Sequence, residues 1–277
     1  MTPDEYCQQK AASSGSSFYY SFLFLPAERR RAITALYAFC REVDDVVDEG
    51  MDPQVAAAKL AWWRAEVANL FAGRAQHPVT RALEPHRDNF GLSAGRLNEI
   101  IDGMQMDLQQ SRYLDWPGLE TYCYRVASVV GLLAAGIFGY RDARTLDYAR
   151  NLGIAFQLTN IIRDVGEDAR KNRVYLPVTD LQRFGVPAAD ILQARETPAF
   201  RELMQFEAER ARGYYAAAMC ALPAADRRTQ RPGLIMAAIY RALLDEIQRD
   251  GFRVLTQRTS LTPVRKFWLA WRTWVAA

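Results

Sequence analysis

The sequence predicts an all-α protein folded as a single helical domain over residues 1–277, and three observations carry that expectation. Apolar residues recur at spacings of three and four, as in Ala32, Leu36, Phe39, Val43, Val46 and Val47, which is the period of a helix with one buried face. Alternation of the kind that marks strands is nearly absent. Turn formers divide the chain into about ten helical segments, with no linker between them.

In chain order, the breaks fall near Pro53, at Gly73 with Pro78, at Gly91 with Ser93, and near Pro117. Further breaks follow at Tyr140 with Asp142, and near Pro177, Pro187, Pro198, Pro223, Pro232 and Pro263. Proline lacks the amide hydrogen that a helix interior needs, so each marks an end or a first turn. At 277 residues the chain is long enough to bury a deep core and to tolerate an internal cavity.

Several function classes are disfavoured at once. A net charge of +3, from 35 basic and 32 acidic residues, lacks the dense positive field of a nucleic-acid binder. Cys7, Cys40, Cys123 and Cys220 form no CxxC pair, so buried reduced thiols in the cytosol are expected, not disulfides or a zinc site. The first ten residues lack the layout of a secretory signal. The longest apolar run, 126–140, falls short of the roughly 20 residues that span a bilayer, so no transmembrane helix is expected. His77 and His86 lie near breaks, which leaves Ser-His catalysis without its parts. No GxGxxG opens a strand-to-helix turn for a nicotinamide.

Two acidic clusters about 120 residues apart carry the chemistry. The first reads Arg41-Glu42-Val43-Asp44-Asp45-Val46-Val47-Asp48-Glu49, and it puts Asp44 and Asp48 one turn apart on one helix face. The second runs from Gln157 through Arg163 to Asp168, and Asn160, Asp164 and Asp168 climb one face in steps of four. Carboxylates so placed repel each other by about a few tenths of a kcal/mol on an exposed helix, and a cation removes the penalty. Oxygen-only donors select a hard ion, and magnesium commonly joins a few carboxylates to a phosphorylated substrate. One such cluster would usually be a solvated helix face; two, each on an apolar helix beside an arginine, point to a site. Arg41, Arg163 and Arg173 suit phosphate recognition and suit pairing with the neighbouring aspartates equally.

At these residues the chain resembles the squalene and phytoene synthase family of head-to-head prenyltransferases. The likeness covers most of the chain. It includes Gly15-Ser16-Ser17-Phe18, Tyr37-Ala38-Phe39-Cys40-Arg41, Tyr122-Cys123-Tyr124-Arg125-Val126-Ala127, and Arg163-Asp164-Val165-Gly166-Glu167-Asp168 with Asn172-Arg173-Val174-Tyr175-Leu176-Pro177. The stretch from Ser16 to Phe22, followed by Pro26-Ala27-Glu28-Arg29-Arg30-Arg31, is similar to bacterial presqualene diphosphate synthases of hopanoid synthesis. The chain departs from some relatives in carrying Ser14 and Gly15 where they have a further serine or histidine.

The resemblance implies an isoprenoid-synthase-type helical bundle around a deep central cavity. It implies condensation of two farnesyl diphosphates to presqualene diphosphate. Dehydrosqualene, squalene or phytoene synthesis and, more distantly, terpene cyclisation are the alternatives. Asp44, Asp48, Asn160, Asp164 and Asp168 are the implied metal ligands, for Mg²⁺ or Mn²⁺, with NADPH not expected. Ser17, Arg41, Arg163, Arg173 and Tyr240 are the implied diphosphate contacts and Gln157 a pocket residue, with Arg258, favoured over Arg253, as the C-terminal arginine; Phe18 and Tyr37 are further candidates for the substrate pocket. Among the aromatic residues Phe18, Tyr37, Tyr122, Phe156, Tyr175 and Tyr240, which suit a carbocation cavity, the match adds weight to Tyr122, Tyr175 and Tyr240. The base is either departed diphosphate or a tyrosine.

Three further segments bear on the cavity. Gly131, Gly136 and Gly139 either leave room for a prenyl tail or permit close helix packing. Residues 100–107 supply another wall, with Asp102 and Asp107 given structural roles. The basic, aromatic tail from Pro263 to Trp274 suits either peripheral membrane contact or a helix docked over the site mouth. Prenyl diphosphates and downstream pathway enzymes are the expected partners.

Overall fold

The computed structural model describes residues 1–13, 21–22, 25–48 and 52–276, and of Asp48 the backbone only. Ser17 and Phe18 lie outside the described residues. The helices are α1 (Pro3–Ser13), α2 (Ala27–Asp48), α3 (Pro53–Phe71), α4 (Pro78–Leu83), α5 (Ala94–Gln109), α6 (Trp116–Cys123) and α7 (Val129–Phe138). They continue with α8 (Arg144–Arg170), α9 (Val178–Arg183), α10 (Ala188–Leu192), α11 (Pro198–Ala221), α12 (Arg231–Arg249) and α13 (Pro263–Ala276). Among the described residues there is no strand, only an isolated bridge between Arg112 and Val174. The all-α expectation holds.

Local chemistry explains the boundaries. Proline occupies the first turn of α3, α4, α6, α11 and α12, where its missing amide hydrogen costs nothing. The side chains of Asp52, Ser93, Asp115 and Thr197 accept hydrogen bonds from the amides of Gln54, Arg96, Gly118 and Phe200, and so satisfy orphan donors at four helix starts.

Two apolar cores form, one from α1 to α5 with part of α7, the other from α6 to α13. Tyr124 and Val126 pack against both. They sit in a π-helical turn, Tyr124–Ser128, that joins α6 to α7. Helix α8 runs through the centre, against α11, α7, α12 and the π turn.

The helical run from Trp116 to Phe138 is long and apolar enough to cross a membrane by length and composition. Its apolarity instead serves the core and the cavity, for half of its most apolar window is buried inside the protein. The π turn lets α6 and α7 run on as one stretch, in keeping with the absence of a sequence break between Pro117 and Tyr140. Close packing accounts for Gly136, whose added Cβ would lie 2.9 Å from the Phe90 carbonyl oxygen. Gly131 both lines the cavity and meets the Ala149 carbonyl oxygen, at 2.8 Å from such a Cβ. All four thiols are free, but Cys220 is exposed and Cys40 half-buried, against the expectation of four buried thiols. Helical phase explains both: Cys220 lies on the outer side of α11, and Cys40 faces the cavity.

One buried carboxylate stands on α11, outside the two acidic clusters. Glu207 on α11 shares Arg210 with Asp180 of α9, at 2.7 and 2.9 Å, while Arg210 stacks on Trp116 and Phe206. Burial pushes the Glu207 carboxyl up to about 7, against the opposing pull of Arg210. A raised acid pKa means that the folded state holds the proton more tightly. Its stabilising contribution is therefore complete below the ordinary value of 4.5 and is lost as pH rises through about 7. Thermal unfolding from pH 5 to 8 should show the wild type losing several degrees relative to Glu207→Gln, which removes this titration. Parallel profiles would refute it.

Candidate active site

The two acidic helices meet. Asp44 from α2 and Asp164 and Asp168 from α8 line one polar pocket of about 1200 Å³, open solvent at its entrance included, together with Arg41, Arg163, Arg173, Arg258 and Lys171. An apolar cavity of about 1020 Å³, its open end included, continues from it. Cys40, Val126, Gln157 and Asn160 line both, so the two spaces adjoin. Down α8 the cavity wall passes Phe156, Gly153 and Leu152 to Tyr148, about 18 Å from Asn160. Tyr37 and Tyr240 line the apolar part, and Phe156 packs on Tyr240 at 4.8 Å.

Each arginine is already paired. Arg41 binds Asp44 and Asp45, both at 2.6 Å, and Lys10 of α1 holds the far side of Asp45 at 2.8 Å. Arg163 grips Asp164 with both Nε and Nη2. Arg258 donates from Nε to the same carboxylate at 2.9 Å and reaches Glu167 at 3.3 Å. The remaining candidate, Arg253, pairs instead with Asp250, so Arg258 is the C-terminal arginine at the pocket. Arg173 donates to the Val47 carbonyl oxygen at 3.4 Å and thereby links the end of α8 to the last turn of α2. Asn172, at φ 58°, makes that reversal, since asparagine tolerates the left-handed region.

The electrostatics of α8 are unequal along one face. Burial alone would raise the Asp164 carboxyl, but hydrogen bonds from Arg163 and Arg258 hold it below the usual carboxylate range. One turn on, burial and then the charge of Asp164 push Asp168 up to about 7. The Asn160 amide oxygen is buried and accepts no hydrogen bond. An unsatisfied carbonyl oxygen beside two carboxylates, one raised by its neighbour's charge, is a donor set that fits a hard cation. Among the described residues no three Asp, Glu, His or Cys side chains converge on an ion by themselves. Ligation by few protein oxygens plus substrate phosphate is the usual habit of magnesium.

Asp107, to which the sequence gives only a structural role on the wall helix, lines the site. Its carboxylate accepts hydrogen bonds from the Tyr122 and Tyr175 hydroxyls, at 2.9 and 2.8 Å, at the edge of the polar pocket. The two rings stack at 5.2 Å, with Tyr113 stacked on Tyr175 at 5.9 Å. Burial, and then the charge of Asp107, raise both phenols well above their ordinary value, so they remain protonated donors. Asp107 therefore belongs to the site, whereas Asp102 pairs with Arg64 away from it. The only sequence signal was its position on the wall helix α5. Ser17, Phe18 and the Asp48 side chain lie outside the described residues, so their implied roles remain expectations.

Comparison with known proteins agrees with this geometry. Residues 11–265 match the Squalene/phytoene synthase family. A phytoene synthase from Arthrospira platensis is 36% identical over 275 residues, covering 95% of this chain and 89% of the relative. A 15-cis-phytoene synthase from Synechocystis sp. is 35% identical over 282 residues, covering 96% of this chain and 84% of the relative. A dehydrosqualene synthase crystallised with a ligand superposes with a TM-score of 0.87 at 28% identity, over 99% of this chain and 96% of that one. Squalene synthase HpnC from Alicyclobacillus acidocaldarius gives 0.81 at 29% identity, over 90% and 94%. The helical bundle is the isoprenoid synthase fold. With two acidic helices facing one pocket above an apolar cavity, and a family match across nearly its whole length, the chain belongs to the squalene/phytoene synthase family of prenyltransferases.

Proposed function

We propose that the enzyme joins two farnesyl diphosphates head to head into presqualene diphosphate, releasing diphosphate. One observation carries the reading: a polar pocket, rich in arginine and lined by carboxylates of both acidic helices, opens directly into an apolar cavity. That is the shape of a substrate with a charged head and a long prenyl tail. Magnesium, or manganese in its place, would be held by Asp44, Asp48, Asn160, Asp164 and Asp168, and when bound it neutralises charge on the departing diphosphate.

The chain's own residues do the rest. Arg41, Arg163 and Arg258 take diphosphate oxygens by opening ion pairs that already hold their guanidinium groups at the pocket, and Arg173 joins them from its hydrogen bond to the Val47 carbonyl oxygen. As the first C–O bond breaks, its electron pair leaves with the diphosphate, and the allylic cation is held in a cavity lined by Tyr37, Phe156 and Tyr240. Aromatic faces stabilise such charge by about 0.5–2 kcal/mol each, and apolar walls exclude water that would quench it. The double bond of the second substrate attacks C1 of this cation, and loss of a proton from that carbon closes a cyclopropane. Since Tyr122 and Tyr175 remain protonated donors to Asp107, they orient and polarise, and the departed diphosphate takes the proton. The acceptor keeps its own diphosphate, so NADPH is not needed.

Two supports favour C30 chemistry: the presqualene-synthase-like residues from Ser16 to Phe22, and structural neighbours named for dehydrosqualene and squalene synthesis. The phytoene synthases among the sequence relatives favour a second reading, two geranylgeranyl diphosphates joined to a C40 product. On either reading the enzyme works in the cytosol and hands its product to downstream pathway enzymes. Purified protein with Mg²⁺ and each diphosphate, without NADPH, decides by product mass. A C30 cyclopropyl diphosphate from farnesyl diphosphate is expected. A C40 product alone would establish the second reading, and C15 hydrocarbons would mean a terpene cyclase.

A further inference from the structure

Helix α13 is apolar on two opposite sides. Its inner side, with Leu269 and Ala270 buried, docks on α12, and Trp274 lies under the guanidinium of Arg231 at 4.6 Å. Its outer side carries Val264, Phe267, Trp268, Trp271 and Val275, between 49% and 79% exposed. Their spacing of three, four, seven and eleven from the first residue places them in one continuous stripe along the helix. Scattered exposed apolar residues are ordinary on a soluble protein, but five in one stripe mark a contact surface.

We infer that this stripe seats the enzyme on the interfacial zone of an anionic phospholipid bilayer, with α13 lying in the membrane plane. Three observations select that occupant. Tryptophan, with an apolar ring and a polar N–H, concentrates where acyl chains meet head groups, and the stripe holds two of the six tryptophans in the chain, Trp268 and Trp271. The helix bears Arg265, Lys266 and Arg272 and no acidic residue, so its own charge complements an anionic surface. Arg272, exposed, lies over the Trp268 ring at 4.6 Å, which puts a cation at the edge of the apolar stripe where phosphate head groups would lie. Arg265 also pairs with Glu246 of α12, which fixes the helix on the body of the protein. Burial, and then the charges of Arg163 and Arg258, lower the pKa of the Lys266 ammonium below its ordinary value. The membrane contact does not depend on which prenyl product forms.

The test uses the full chain and no prenyl substrate, so it is independent of the catalytic reading. Wild type and the triple variant Phe267→Ser, Trp268→Ser, Trp271→Ser are sedimented with vesicles of phosphatidylcholine alone or mixed with phosphatidylglycerol. The expected result is partition of wild type that is strongest on the anionic vesicles and weakened by salt, reduced about tenfold or more in the variant. Circular dichroism of the variant reports whether it folds. Should it not, quenching of wild-type tryptophan fluorescence by brominated lipid gives the same answer without substitution. Equal partition of a folded variant, absence of partition by wild type, or lack of quenching would overturn the inference. So would a wild-type dimer that the variant dissolves, since a second copy would then cover the stripe.

Discussion

Replacing Asp164 by alanine should lower the rate of product formation by about 10³-fold or more while leaving the fold intact. A removed charge-stabilising group commonly costs about 10²–10³ in rate, and here one carboxylate serves several partners. It receives both nitrogens of Arg163 and the Nε of Arg258, and it is an implied ligand for the cation. Without it, two guanidinium groups lose their aim, and the oxygen set on α8 is reduced to Asn160 and Asp168. Asp164→Asn keeps the shape and loses the charge, so it should fold with a lowered melting temperature, because Arg163 and Arg258 lose their counter-charge, and remain about 10²-fold slow. Single-turnover kinetics with saturating farnesyl diphosphate would check both variants. Activity within a few-fold of wild type for either one would refute the assigned role.

Gly166→Ala should damage stability and catalysis together. A Cβ built on Gly166 would lie 2.3 Å from the Leu255 carbonyl oxygen and 2.5 Å from that of Val254. Both are backbone atoms, and the Gly166 amide donates to the Val254 carbonyl oxygen at 3.1 Å. The absence of a side chain is what lets the segment 251–258 lie against α8, and that segment brings Arg258 to Asp164. Adding a methyl group forces helix and loop apart. Overpacking of this kind costs about 1–3 kcal/mol, occasionally more, and kcat/KM should fall about tenfold or more because the charge-assisted contact of Arg258 is lost. Gly213→Ala on α11 is the control, since nothing lies within 4 Å of its added Cβ. It should be neutral or stabilising by up to about 1 kcal/mol. Urea unfolding with steady-state kinetics separates the cases, and a Gly166→Ala protein indistinguishable from Gly213→Ala would contradict the packing account.

What could be read from the sequence follows from how locally each feature is specified. The face shared by Asn160, Asp164 and Asp168 depends only on helical period, and the break prolines mark helix ends through backbone chemistry alone. Convergence of α2 and α8 is a tertiary fact, legible because two oxygen-rich faces on apolar helices otherwise lack a reason to exist. The role of Asp107 was not legible. Its partners arrive from 15 and 68 residues further along the chain, and a single carboxylate on an amphipathic helix looks like any solvated one. The sequence favours Arg258 over Arg253, whereas the physical reason, the close approach at Gly166 that brings it to Asp164, is a tertiary fact that no spacing rule encodes. The tail helix docks on α12 by one side and leaves the other exposed.

The central claim is that carboxylates on α2 and α8 act on one and the same diphosphate. Calorimetric binding of a non-ionisable farnesyl thiodiphosphate in the presence of Mg²⁺, to wild type, Asp44→Ala, Asp164→Ala and the double variant, tests it most directly. If both side chains serve one ligand, the losses will be non-additive, with a coupling of about 1 kcal/mol or more. Losses that add to within about 0.5 kcal/mol, the behaviour of independent sites, would contradict it.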